Sequence, residues 1–196
     1  MPYITPVGST ETKRFLKRGR GDKLDAETKG FLTYRVADRG VAIILIIAAI
    51  AIPNLLRARI AANEASAVSS LRTINTSEVT YSTTYPTVGY AATLVALGPA
   101  DATCSAGPSS ANACMVDFNL GSAKATPKSG YNLDAANDGA TPSLAYTAGA
   151  APQTWNQTGN RDFCSVQDAV LRFKQGATGD APEVTSAGCL PYTIMQ

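Results

Sequence analysis

Val41-Ala-Ile-Ile-Leu-Ile-Ile-Ala-Ala-Ile-Ala-Ile52, followed at once by Pro53-Asn-Leu-Leu-Arg57-Ala-Arg59, is the stretch whose reading decides the fold. As a helix, its apolar residues rise about 18 Å, against a bilayer hydrocarbon core of about 30 Å. Alone, a run of this length reads as a signal-peptide core or a buried helix rather than a span. The flanks decide between these. Residues 1–40 carry nine Lys/Arg and five Asp/Glu, a net +4, whereas residues 41–196 carry eight and ten, a net −2. The basic side therefore precedes the apolar run, as expected when that side stays in the cytoplasm. A nucleic-acid binder would carry its basic charge on the folded domain, so no nucleic-acid partner is expected.

The chain has no histidine, which removes Ser-His-Asp and Cys-His nucleophile pairs and His-ligated zinc. Its four cysteines, Cys104, Cys114, Cys164 and Cys189, include no Cys-x-x-Cys spacing, so a zinc ribbon or thioredoxin-type motif is not expected. Behind an export signal they read as two disulfides. Of the three connectivities, the sequence-local pairs Cys104–Cys114 and Cys164–Cys189 are favoured.

Residues 1–30 read as a polar, aperiodic leader, disordered, and residues 31–82 as one N-terminal helix. Its apolar anchor half is 41–52, with Val41, Ile43, Ile44, Leu45, Ile46, Ile47, Ile50 and Ile52 as anchor residues. Pro53 removes a backbone hydrogen bond and predicts a kink. In the amphipathic half, 54–82, Leu56, Ile60, Ala67, Leu71, Ile74 and Val79 recur mostly at three, four or seven residues and predict the buried stripe. Asn63, Glu64, Ser66, Ser70, Arg72 and Glu78 are assigned to the solvated side.

Residues 83–196 read as a globular domain. Pro86, Gly89, Gly98 and Pro99 punctuate a loop, Ala91–Leu97 allows one or two helical turns, and Ala113–Leu120 leans towards a short helix. Gly130–Asp134 with Ser143–Thr147, and Arg161–Ser165 with Ala169–Phe173, predict two hairpins; Gly188–Tyr192 closes the chain. The expected fold class is α+β: a long N-terminal helix, kinked at a proline, on a small antiparallel sheet.

Candidate sites are few. Asp134, Asn137, Asp138 and Gly139 faintly resemble an oxygen-rich calcium loop, but without EF-hand spacing, and Asn-Asp-Gly is a common turn. Tyr81, Tyr85 and Tyr90 are expected to close the sheet onto the helix, with Trp155 in the core or anchoring a loop. Asn75-Thr-Ser and Asn156-Gln-Thr match a glycosylation sequon. No carboxylate pair, nucleophile with base or phosphate loop emerges, so no enzyme, metal or cofactor is expected.

Ala48-Ala-Ile-Ala-Ile-Pro-Asn-Leu-Leu-Arg-Ala-Arg-Ile-Ala-Ala-Asn-Glu-Ala-Ser-Ala67 closely resembles the N-terminal helix of type IV pilins and type II secretion pseudopilins. Lys29-Gly30-Phe31 resembles that family's prepilin peptidase site, which follows a Gly and precedes a Phe that becomes N-methylated. The region bearing Cys164 and Cys189 resembles the disulfide-bounded C-terminal region of many pilins. The resemblance implies a pilin-like filament subunit, processed at Gly30 and Phe31, anchored in the bacterial inner membrane before assembly. It then stands in a surface pilus or periplasmic pseudopilus. Its implied partners are copies of itself in a helical filament, the inner membrane, the prepilin peptidase and the assembly machinery. The alternatives are a secreted soluble binding domain, with 41–52 as the signal core and cleavage after Ala65-Ser-Ala67, or a minor pilin for adhesion or DNA uptake. The net acidity of residues 68–196 argues against DNA.

The chain departs from the family pattern between the processing site and the apolar run. The family's fifth mature residue is Glu; counted from Phe31 it is here Arg35, and counted back from Pro53 it is Val36. Arg35, Asp38 and Arg39 stand where the family is apolar, at a cost of roughly 2.5–3.5 kcal/mol each in a central membrane position. Tyr34–Gly40 can be encoded TAC CGA GTT GCT GAT CGT GGT. One base later this reads Thr-Glu-Leu-Leu-Ile-Val-Val, the residue types of the family. A compensated frame shift across residues 32–40 would account for the departure; the alternative is a decayed or divergent prepilin start. Sequencing the gene from codon 31 to codon 41 is expected to reveal codons whose shifted frame contains Glu-Leu-Leu; codons without it refute the shift.

Overall fold

The computed structural model describes the backbone of residues 22–195 and the side chains of residues 40–195. Helix α1 runs Asp22–Thr84 with Pro53 inside it. It starts before residue 31 because Lys23-Leu-Asp-Ala-Glu-Thr-Lys29 has neither Pro nor Gly and is made largely of good helix formers. Residues 22–30 are thus helical rather than part of an irregular leader; the leader assignment of residues 1–21 falls outside the described residues. The chain divides into two compact units, Met1–Ile50 and Ala51–Gln196. In the first, the described residues are helical.

The second unit is α+β. After α1 come short helices α2 (Leu94–Leu97) and α3 (Phe118–Gly121), strands β1 (Tyr131–Asn137), β2 (Tyr146–Pro152), β3 (Arg161–Val166) and β4 (Arg172–Gln175), helix α4 (Ser186–Cys189) and strand β5 (Thr193–Ile194). The strands form one antiparallel sheet in the order β1-β2-β3-β4-β5. Two hairpins are present, β1–β2 and β3–β4, but β2 starts at Tyr146, later than the Val/Ile-poor sequence predicts. Thr147-Ala-Gly-Ala-Ala-Pro152 shows little strand propensity, yet every residue of β2 is buried between β1 and β3. Asp117 caps α3 by accepting from Leu120 N–H at 2.7 Å, so the helix expected over 113–120 forms only from Phe118. Likewise Thr185 caps α4, which takes up Gly188 and Cys189.

One core cluster joins the inner face of α1 (Ala67, Leu71, Ile74, Tyr81) to Leu94, Leu97, Leu120, Leu133, Ala148, Ala150 and Phe163. The opposite face of the sheet carries a smaller cluster, Cys164, Val166 and Cys189, with Tyr192 packed on it. The segment between β4 and β5 crosses this second face. A Cβ on Gly149 would come within 2.2 Å of the Glu183 carbonyl oxygen, so only glycine admits the crossing there.

Disulfides join Cys104 to Cys114 and Cys164 to Cys189. The second ties β3 to α4 across a sequence separation of 25. Replacing Cys164 and Cys189 together by Ser is expected to lower stability by roughly 3–4 kcal/mol in the chain-entropy account, measured as a lower urea midpoint.

Candidate functional site: an exposed apolar helix surface

The large aliphatic residues from Val41 to Ile52 are all 54–66% exposed: Val41, Ile43, Ile44, Leu45, Ile46, Ile47, Ile50 and Ile52. Ile43 to Ile47 are consecutive, so at 3.6 residues per turn their side chains surround the helix rather than forming a stripe. A helix apolar all round is matched to lipid or to a packed interior. Leu55 is 71% exposed, and Leu56 is also exposed. The part of α1 within Gly40–Thr84 is long and apolar enough to cross a membrane. Pro53 lies inside the helix without ending it. Gly30 and Phe31 lie in the helical backbone of α1; their side chains are outside the described residues.

Farther along α1 a narrow face turns inward. Ile60, Glu64, Ala67, Leu71, Ile74, Glu78 and Tyr81 are all buried, with alternating separations of four and three residues. This corrects the sequence-based assignment of faces at five positions. Leu56 and Val79 are exposed, while Glu64 and Glu78, assigned to solvent, are buried. Ser70 is buried as well, beside the Lys128 ammonium, which donates to its hydroxyl at 3.2 Å.

Each glutamate has its own reason for being inside. Glu64 accepts from Arg161 Nε at 2.9 Å and Nη2 at 2.7 Å through Oε2, and from Asn160 N–H at 2.9 Å through Oε1. Both oxygens are thereby satisfied by charged or backbone donors. Glu78 accepts only from Ala91 N–H, at 2.9 Å through Oε2, and its Oε1 has no partner. Burial pushes its carboxyl up to about 8, and the Ala91 bond offsets only part of that. At neutral pH Glu78 is therefore mainly a neutral carboxylic acid inside the domain. On the other face of the sheet, burial and the neighbouring Asp180 push Asp162 up to about 7, against the opposing Lys174 ammonium 3.4 Å away.

The other sequence candidates resolve into structural roles. Asp134 pairs with Lys124 at 2.7 Å. Asn137 accepts from Gly139 N–H, while Asp138 accepts from Ala140 N–H and the Ser143 hydroxyl, so these residues hold the β1–β2 turn together. No cluster of metal-ligating residues occurs among the described residues. Asn75 is buried, bonded to Ser165 and Tyr146, which excludes glycosylation of the folded domain there. Tyr81 is buried and donates to the Ser110 carbonyl at 2.5 Å, with the Tyr85 ring tilted against it at 4.8 Å between centroids; the Tyr90 and Tyr146 ring centroids are also 4.8 Å apart. Trp155 is partly exposed.

No family model, curated protein or solved structure matches this chain.

The state of Glu78 sets a pH dependence. Its unfolded-state carboxyl titrates near 4.5 and its folded one near 8. Between those values the folded domain holds a proton that the unfolded chain has released, so stability falls as pH rises, by up to about 1.4 kcal/mol per pH unit from this group. Asp162 adds the same sign between 3.8 and about 7. Thermal melts from pH 5 to 8 are expected to show a falling Tm, and Glu78→Gln, which mimics the neutral acid, is expected to flatten that fall and raise the Tm at pH 8.

Proposed function

We propose that this chain is the structural subunit of a type IV pilus or pseudopilus filament. It is held in the bacterial inner membrane by the apolar half of α1 until assembly. The observation that carries this reading is the aliphatic surface of Val41–Ile52, exposed around the whole helix while the second half of the same helix is built into a disulfide-bonded α+β domain. Such a surface has no place in water. Lipid chains and a bundle of identical helices solvate it about equally well, so transfer from bilayer to filament core carries little free-energy cost. The likeness of Ala48–Ala67 to the pilin helix supports the same reading. In this account Pro53 supplies the bend of the helix, since it lacks the N–H that would bond the Ala49 carbonyl.

The secreted-domain alternative fits less well. Cleavage after Ala67 would strip Ile60, Glu64 and Ala67 from the buried face of α1 and leave Arg161 without its carboxylate partner.

Sheared surface filaments, or periplasmic pseudopili, are expected to contain this chain as subunit with a mature N-terminus at Phe31. A mature form beginning near Val68, or a soluble monomer with no filament, refutes the proposal. Ile47→Asp is expected to release the unassembled chain from membranes, because a central carboxylate costs roughly 2.5–3.5 kcal/mol on insertion.

A further inference from the structure

A cleft of about 310 Å³ opens between α1 and the start of β3, lined by Arg57, Ile60, Ala61, Glu64, Arg161 and Gln175 among others. Its charges are unevenly used. Arg161 gives Nε and Nη2 to Glu64 and stacks over Phe163 and Phe173, with its guanidinium carbon 5.4 and 5.5 Å from the ring centroids. It is fixed in place with Nη1 still unused among the described residues. Arg57 makes no ion pair among the described residues. Glu64 neutralises one of the two guanidinium groups, and the cleft keeps one positive charge beside the apolar Ile60 and Ala61.

We infer that this cleft binds the phosphodiester of a membrane phospholipid. The inference rests on the membrane-anchored reading above and adds a site to it. One net positive charge matches one phosphodiester negative charge, and guanidinium N–H groups suit its oxygens. Gln175 adds an uncharged donor at the rim. The position on the chain agrees: Arg57 follows the apolar run Val41–Ile52 across Pro53-Asn-Leu-Leu56, and the helix from Val41 to Leu56 rises about 24 Å, so Arg57 falls at headgroup depth. A nucleic acid presents a row of phosphates and would need a row of cations, which the net-acidic domain lacks. The lipid would hold the base of the domain at the membrane surface, and its release would precede docking of the subunit into a filament.

The test uses the full chain in nanodiscs of phosphatidylcholine with a minority of phosphatidylglycerol. Phospholipid retained after detergent extraction is counted by native mass spectrometry. Arg57→Gln is expected to lower retention about fivefold, the scale for one basic residue at an anionic surface. Arg59→Gln, on the same helix but outside the cleft lining, is expected to leave retention unchanged. Equal loss in both variants, or no loss in Arg57→Gln, overturns the inference while leaving the anchor intact. Displacement of the lipid by millimolar inorganic phosphate also overturns it, because the site is then a free-phosphate site. Failure of the wild-type chain to enter the discs instead overturns the membrane-anchored reading itself.

Discussion

Glu64 and Arg161 meet where the helix first touches the sheet, and the rest of the domain is arranged around the requirement that this contact be complete. A carboxylate taken out of water is tolerated only when its oxygens are repaired by strong donors. Glu64 has three: two from Arg161 and one from the Asn160 backbone. Arg161 in turn is the first residue of β3, and the two phenylalanines beneath it belong to β3 and β4. Once that corner is fixed, the alternating four-and-three spacing from Ile60 to Tyr81 places each following contact on the sheet side of α1. Leu71 and Ile74 fill the middle of the interface, while Tyr81 closes its far end with a hydrogen bond to Ser110.

The sheet is thin where it must be covered twice. Ala148 and Ala150 of β2 face the helix, and Gly149 between them faces the segment that carries Glu183. Larger residues at these positions would hold one layer away from the other. The disulfide Cys164–Cys189 secures the outer layer, which buries too little apolar surface to hold itself. Asp162 lies beneath the same layer, its charge opposed by burial and Asp180 and favoured by Lys174. The two faces thus differ in kind. One is apolar with two glutamates set into it, and the other is small, polar and cross-linked.

How much of this is legible in sequence follows from what each feature depends on. The apolar run and the positions Ile60, Ala67, Leu71 and Ile74 are readable, because composition and helical period are local properties. The antiparallel hairpins are readable from their turns. Glu64 and Glu78 are not, since a carboxylate read by itself belongs in water, and what brings Glu64 inside is an arginine 97 residues away. Their four-and-three spacing with Ile60, Ala67, Leu71, Ile74 and Tyr81 is the one local signal that pointed inward. The extent of β2 is hidden for a related reason: alanine and glycine carry little strand preference, and their value there lies in what they let approach. The cleft at Arg57 depends on the relative placement of α1, β3 and β4, which no window of sequence contains.

The placement of Arg161 also has a mechanical side. A tensile load carried along α1 enters the domain at Glu64 and passes to β3, which is bonded on both sides, to β2 and to β4. Drawing β3 out would break both of its ladders, because it is an interior strand of the sheet. Should the sheet give way, the covalent link from Cys164 to Cys189 still withholds about 85 Å of contour length from extension. The fold is thereby built to yield little when pulled from its helix.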